Sequence, residues 1–119
     1  MHSQDTLDIL DQRLRPSFRP DFLPTERVIY QLIFESGGDF FLTASRENFH
    51  LSKRAEGPVT LRIWVRSVDL FEALLLGHES GMDAFMAGHY RSDGHIVLSQ
   101  LLLYLFLPVD RAFAHEVSD

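Results

Sequence analysis

The sequence predicts an α+β domain, and three observations carry that reading. Residues 59–66 alternate apolar and polar with period two, and residues 27–35 are rich in β-branched and aromatic side chains. From Ser67 onward the apolar spacing lengthens to the three-to-four-residue period of helices. Glycine, proline and Asn/Asp clusters fall at the junctions between these segments. Strands followed by helices, with no internal repeat, give an α+β order.

The elements follow in order. Residues 3–14 read as a short helix with Leu7, Leu10 and Leu14 on one face, ended by Pro16. Pro16, Pro20 and Pro24 then punctuate a loop carrying Phe18 and Phe22, expected to drape over the domain. Residues 27–35 fit two patterns. A strand would align Val28, Tyr30, Leu32 and Phe34, whereas a helix would group Val28, Ile29, Leu32 and Ile33. Their β-branched and aromatic content favours the strand. Ser36-Gly37-Gly38-Asp39 then reads as a hairpin turn into a strand over 40–45, and a further extended piece is expected over 49–54. Residues 59–66 are the cleanest strand: Val59, Leu61, Ile63 and Val65 alternate with Thr60, Arg62, Trp64 and Arg66. One buried and one wet face mark a sheet covered on a single side. Trp64, on the wet face among Arg62 and Arg66, is expected to be stacked by an arginine or to sit in a subunit contact.

Ser67 is an N-cap, and Leu70, Phe71, Leu74 and Leu75 form the inward face of a helix closed at Gly77. Ser80-Gly81-Met82-Asp83 opens a second short helix carrying Phe85 and Met86 and closed at Gly88. Residues 89–92 are extended. The run Ile96–Leu107 is the most apolar of the chain and ends at Pro108. Twelve helical residues span only about 18 Å, short of the ~30 Å hydrocarbon core of a bilayer. Yet this helix would be apolar on nearly every side: Leu98, Leu102, Leu105 and Phe106 form one stripe, and Leu101, Leu103, Tyr104 and Leu107 cover most of the rest. A surface helix needs a much narrower stripe, so this one must touch more than one thing.

Composition narrows the function classes. The 119 residues contain no cysteine, which excludes disulfide scaffolds, thiol nucleophiles and cysteine-ligated zinc. A formal net charge of −6, with the arginines scattered beside acids, argues against a nucleic-acid partner. His78, His89 and His95 with Asp83 and Asp93 fit no metal-ligand spacing, and no serine stands in a nucleophile elbow. No metal, cofactor or catalytic constellation is therefore expected. Met1–Asp5 offers no basic n-region before an apolar stretch, so no secretory signal is expected and a cytoplasmic protein is.

The segments Leu70-Phe71-Glu72-Ala73-Leu74-Leu75-Leu76-Gly77-His78, Met82-Asp83-Ala84-Phe85-Met86-Ala87-Gly88 and Arg91-Ser92-Asp93-Gly94 resemble the sterol carrier protein type 2 family. The likeness lies in a leucine-rich helical turn ending in glycine, a short Ala-Phe-x-x-Gly helix, a strand ending in glycine and a long C-terminal helix. A weaker likeness runs back through Pro58-Val59-Thr60-Leu61 to Ile29-Tyr30-Gln31-Leu32. The resemblance implies a five-stranded, mostly antiparallel sheet with helices packed on one face around an apolar cavity. It implies a lipid-binding domain over residues 25–108, preceded by a helix and proline-rich loop (1–24) and followed by a tail (109–119). Matched residue by residue, Phe85 and Met86 are the apolar pair of the short helix, and Leu98, Leu102 and Leu105 are apolar positions of the last helix. Gln100 stands where the family has an apolar, cavity-facing residue, which points to a lipid with a polar head. The C-terminal Glu116-Val117-Ser118-Asp119 lacks the Ser-Lys-Leu address of peroxisomal members.

The lipid site so implied comprises Ile63, Val65, Phe71, Leu74, Leu75, Phe85, Met86, Leu98, Gln100, Leu102, Leu105 and Phe106. A cavity of even about 300 Å³ left empty would forgo about 7 kcal/mol of packing at ~24 cal/mol per Å³. That approaches the ~5–15 kcal/mol net stability of a domain, so either a lipid fills it or the C-terminal helix moves. The expected function is non-enzymatic binding and transfer of a phospholipid, fatty acyl or isoprenoid quinone-type lipid. Transient contact with a membrane surface is expected, at the inner face. The alternative is an accessory or interaction module, as in ubiquinone biosynthesis, whose apolar helix docks a partner or forms a homodimer.

Overall fold

The computed structural model describes residues 4–19, 27–93, 101–102 and 105–106. Helix α1 (Gln4–Leu14) buries Leu7, Leu10 and Leu14, with Asp5 in its first turn and Arg13 in its last, each on the side the helix dipole favours. Pro16 has no N–H to continue the ladder, so the chain tightens into a 3₁₀ turn at Arg15–Ser17 and leaves it extended at Phe18.

Strand β1 (Arg27–Phe34) settles the ambiguous segment as extended. Val28, Tyr30, Leu32 and Phe34 are buried on one face as the alternation predicts. Ile29, on the other face, is buried as well. The loop before β4 lies against it: a Cβ on Gly57 would come within 3.3 Å of Ile29 Cδ1. This second burial is what made the segment resemble a helix. Gly37 (φ +109°) and Gly38 (φ +80°) occupy the left-handed region of the hairpin turn, where Gly37 N–H donates to Phe34 O at 3.0 Å. Strand β2 (Asp39–Ser45) and strand β3 (Phe49–Ser52) follow. Strand β4 (Leu61–Val65) is shorter than the predicted 59–66, although Thr60 N–H still donates to Ile29 O and Arg66 N–H to His89 O. Likewise β3 ends two residues before the predicted Arg54.

Helix α2 (Val68–Leu75) starts where Ser67 Oγ accepts from Leu70 N–H at 3.1 Å and is closed by Gly77 at φ +76°. Helix α3 (Gly81–Met86) starts where Ser80 Oγ accepts from Asp83 N–H at 3.2 Å. Gly88 (φ +79°) then turns the chain into strand β5 (Tyr90–Ser92).

The five strands form one sheet in the order β3-β2-β1-β4-β5. Three pairings are antiparallel and the central one, β1 with β4, is parallel, with Leu32 opposite Ile63. The expected α+β class and five-stranded, mostly antiparallel sheet therefore stand. The inner face (Tyr30, Leu32, Phe40, Leu42, Phe49, Leu51, Leu61, Ile63 and their neighbours) forms one core with α1, α2 and the C-terminal helical residues Leu101, Leu102, Leu105 and Phe106. Helix α1 packs on β3 and α2, and α2 packs on β4. Arg13 Nη1 reaches Glu72 Oε1 at 3.1 Å and ties the two helices at the surface.

Candidate functional site

Eight of the predicted lipid-site residues meet in one place. Ile63 and Val65 project from β4, and Phe71, Leu74 and Leu75 from α2. Leu102, Leu105 and Phe106 come from the C-terminal helical residues, and all eight are buried in the same cluster. Alternation brings the β4 pair inward, and the Ser67 cap starts α2, whose apolar stripe Leu70, Phe71, Leu74 and Leu75 is its buried face. Leu101 joins the same cluster.

Phe85 and Met86 do not join it. They are 55% and 76% exposed, and Met82 is 67% exposed. Helix α3 has six residues and turns only Ala84 inward. Met82, Phe85 and Met86 share the opposite face at i, i+3 and i+4 spacing. Leu98 and Gln100 lie outside the described residues, as does Phe22.

The structure adds side chains to the site that the motif comparison missed. Phe18 packs its ring 5.0 Å from Phe49 and 5.4 Å from Phe106, while Phe49 and Phe106 meet edge to face at 4.9 Å. Arg19 N–H donates to Leu105 O at 2.7 Å. Together these hold the C-terminal residues onto β3. On the other side of the cluster Phe71 stands edge-on to Phe34 and Phe40. The expected drape of the proline-rich segment was legible at Phe18, but its ring partners are far apart in sequence.

Tyr30 is fully buried on the inner face of β1, and burial, reinforced by Tyr90, holds its phenol neutral far into the alkaline range. Tyr90 itself is 8% exposed. Among the described residues no His, Asp and Glu side chains gather closely enough to hold a metal ion. No described helix is long and apolar enough to cross a membrane.

The opposite face of the sheet is polar but not uniformly so. Trp64 is half-buried there and is covered by Arg91, its register neighbour on β5, with the guanidinium carbon 4.7 Å from the ring centroid. The arginine stacking expected for Trp64 is thus made, across strands. Arg62 instead pairs with Asp93 at 3.3 Å.

The fold these elements make is that of the sterol carrier protein 2 domains. The solution structure of palmitated SCP2L2 from Aedes aegypti superposes with a TM-score of 0.56 at 15% identity, over 89% of this chain and 95% of that one. The ubiquinone synthesis protein UbiJ-SCP2 superposes with a TM-score of 0.55 at 11% identity, over 85% and 87% of the two chains. The sec-alkylsulfatase Pisa1 from Pseudomonas sp. contains a region of the same fold, with a TM-score of 0.64 and 13% identity over 78% of this chain. This chain spans 15% of that enzyme's length. No protein-family profile and no curated protein matches the sequence.

Proposed function

We propose that the protein binds a lipid with an acyl or isoprenoid tail between the inner sheet face and the C-terminal helical residues, and presents it to another protein without chemistry of its own. The observation that carries this reading is the burial of Leu101, Leu102, Leu105 and Phe106 in one apolar cluster with Ile63, Val65 and Phe71, in a fold shared with a palmitated protein. Each methylene moved from water into such a wall contributes about 0.8 kcal/mol, so a ten-carbon tail supplies roughly 8 kcal/mol toward opening the core. The C-terminal residues act as the gate, held by the Phe18–Phe49–Phe106 rings and the Arg19-to-Leu105 hydrogen bond. Loading requires transient contact with a membrane, and the working location is the cytoplasm at its inner face.

The likeness to UbiJ-SCP2 favours a second, narrower reading, an accessory role in ubiquinone synthesis with an isoprenoid quinone-type ligand.

Denaturing organic extraction of the purified protein followed by mass spectrometry is expected to yield a lipid at close to one per chain. Leu102→Trp, which fills the site beside Phe106, is expected to lower that yield at least tenfold while the circular dichroism spectrum is retained. A lipid-free protein that also takes up no fluorescent fatty acid or quinone analogue overturns the proposal. Undiminished uptake by a folded Leu102→Trp variant refutes the placement of the site.

A further inference from the structure

The open face of the sheet carries a row of four side chains that only the strand register brings together. Asp39 on β2 stands opposite Ile33 on β1, Ile33 opposite Trp64 on β4, and Trp64 opposite Arg91 on β5. Read across the sheet, the row runs anion, aliphatic, aromatic, cation. Asp39 and Arg91 are exposed, while Ile33 and Trp64 are half-buried. The adjacent row repeats the mixture, with Phe41 half-buried beside Gln31 and the exposed Arg62. Next to them the Gly57 loop lies against Ile29 and walls off that end of the face.

Such a row is complementary to itself. A two-fold axis lying between two facing sheets, parallel to the strands and midway between β1 and β4, reverses the order of the strands. It therefore sets Asp39 of one protomer against the partner subunit's Arg91, and Ile33 against the partner subunit's Trp64. Both contacts occur twice, as an isologous interface requires. Sheets packed this way lie about 10 Å apart with strands near-aligned, a gap that two facing Trp64/Ile33 pairs fill. Arg91 is suited to its place: a guanidinium stacked on an indole keeps its in-plane N–H groups for a carboxylate. Asp39 already accepts from Gln31 Nε2 at 2.8 Å, which aims the carboxylate while leaving acceptor positions for a second donor.

From this charge complementarity we infer that the open sheet face is a homodimer interface, with a second copy of this chain as its occupant. The inference is independent of the lipid reading, because the lipid wall is on the other side of the sheet.

The test is sedimentation velocity of the full chain over a concentration series, with charge-reversal variants. The wild type is expected to dimerise at micromolar concentration. Arg91→Asp, which faces Asp39 with a like charge at both symmetric contacts, is expected to weaken dimerisation at least tenfold, as is Asp39→Arg. The double variant Asp39→Arg/Arg91→Asp restores opposite charges and is expected to recover dimerisation to within about threefold. Recovery in the double variant separates a lost contact from a lost fold. A wild type that stays monomeric at several hundred micromolar overturns the inference, whatever else that face binds. So does a dimer indifferent to both single reversals, which would place the interface elsewhere, for instance on the exposed face of α3.

Discussion

Phe71→Ala is the most direct probe of whether the wall between α2 and the sheet is closed packing. The Phe71 ring is 1% exposed and meets Phe34 at 6.1 Å and 76°, and Phe40 at 6.0 Å and 69°. Phe34 and Phe40 are in turn 5.0 Å apart. Truncating a buried phenylalanine to alanine costs about 3–5 kcal/mol, and two edge-on aromatic pairs, each worth roughly 0.5–1.5 kcal/mol beyond burial, put this site toward the upper half. We expect a loss of about 4 kcal/mol, which at roughly 4 °C per kcal/mol for a chain of this length lowers the melting temperature by about 16 °C. Phe71→Leu keeps most of the apolar volume but loses both ring pairs, and is expected to cost about 2 kcal/mol. Urea and thermal unfolding of the lipid-stripped protein, followed by far-ultraviolet circular dichroism, measures both. A Phe71→Ala loss below about 1 kcal/mol, or one equal to that of Phe71→Leu, refutes the reasoning. It would mean that the ring borders slack space instead of two other rings.

Two further outcomes follow from the same structure. Ser67→Ala removes the hydroxyl that accepts from Leu70 N–H, so it is expected to cost about 1 kcal/mol in urea unfolding, with Ser67→Asp close to wild type. The Tyr30 phenol is held neutral in the folded chain by burial, whereas in the unfolded chain it ionises near pH ~10. Its contribution to stability is complete below that pH and is lost as pH rises beyond it, by about 1.4 kcal/mol per unit for this group. Tyr30→Phe is expected to flatten the alkaline limb of the stability–pH curve by that slope, and an unchanged limb would show that Tyr30 does not titrate on unfolding.

What could be read from the sequence was local. Ser67, Gly77, Ser80 and Gly88 act within a turn of themselves, and the helix ends they mark are where the structure puts them. Alternation fixed the inner faces of β1 and β4 for the same reason. The features that escaped depend on residues far apart in the chain. Ile29 looked like part of a helical stripe because the Gly57 loop covers it, and nothing near Ile29 announces that loop. Spacing shows that Met82, Phe85 and Met86 share a face, but not which neighbour that face meets; with Ala84 turned to the core, they meet none of the described core. Phe18 joins the site through Phe49 and Phe106, far from it in sequence.

The same distinction separates the two sides of the sheet. The inner side is legible strand by strand, because burial selects apolar residues one position at a time. The outer side is not, because its content lies across strands. Along residues 62–66 alone, Arg62, Trp64 and Arg66 read as a solvated face with a stray indole. Only the parallel register of β1 with β4, and the antiparallel register of β4 with β5, turns that indole into the centre of an Asp39-Ile33-Trp64-Arg91 row. A solvated face needs no such order, since any arrangement of polar residues dissolves equally well. An order that reverses into its own complement narrows the partners to those presenting the same row reversed, and a second copy of this chain does so without any further requirement.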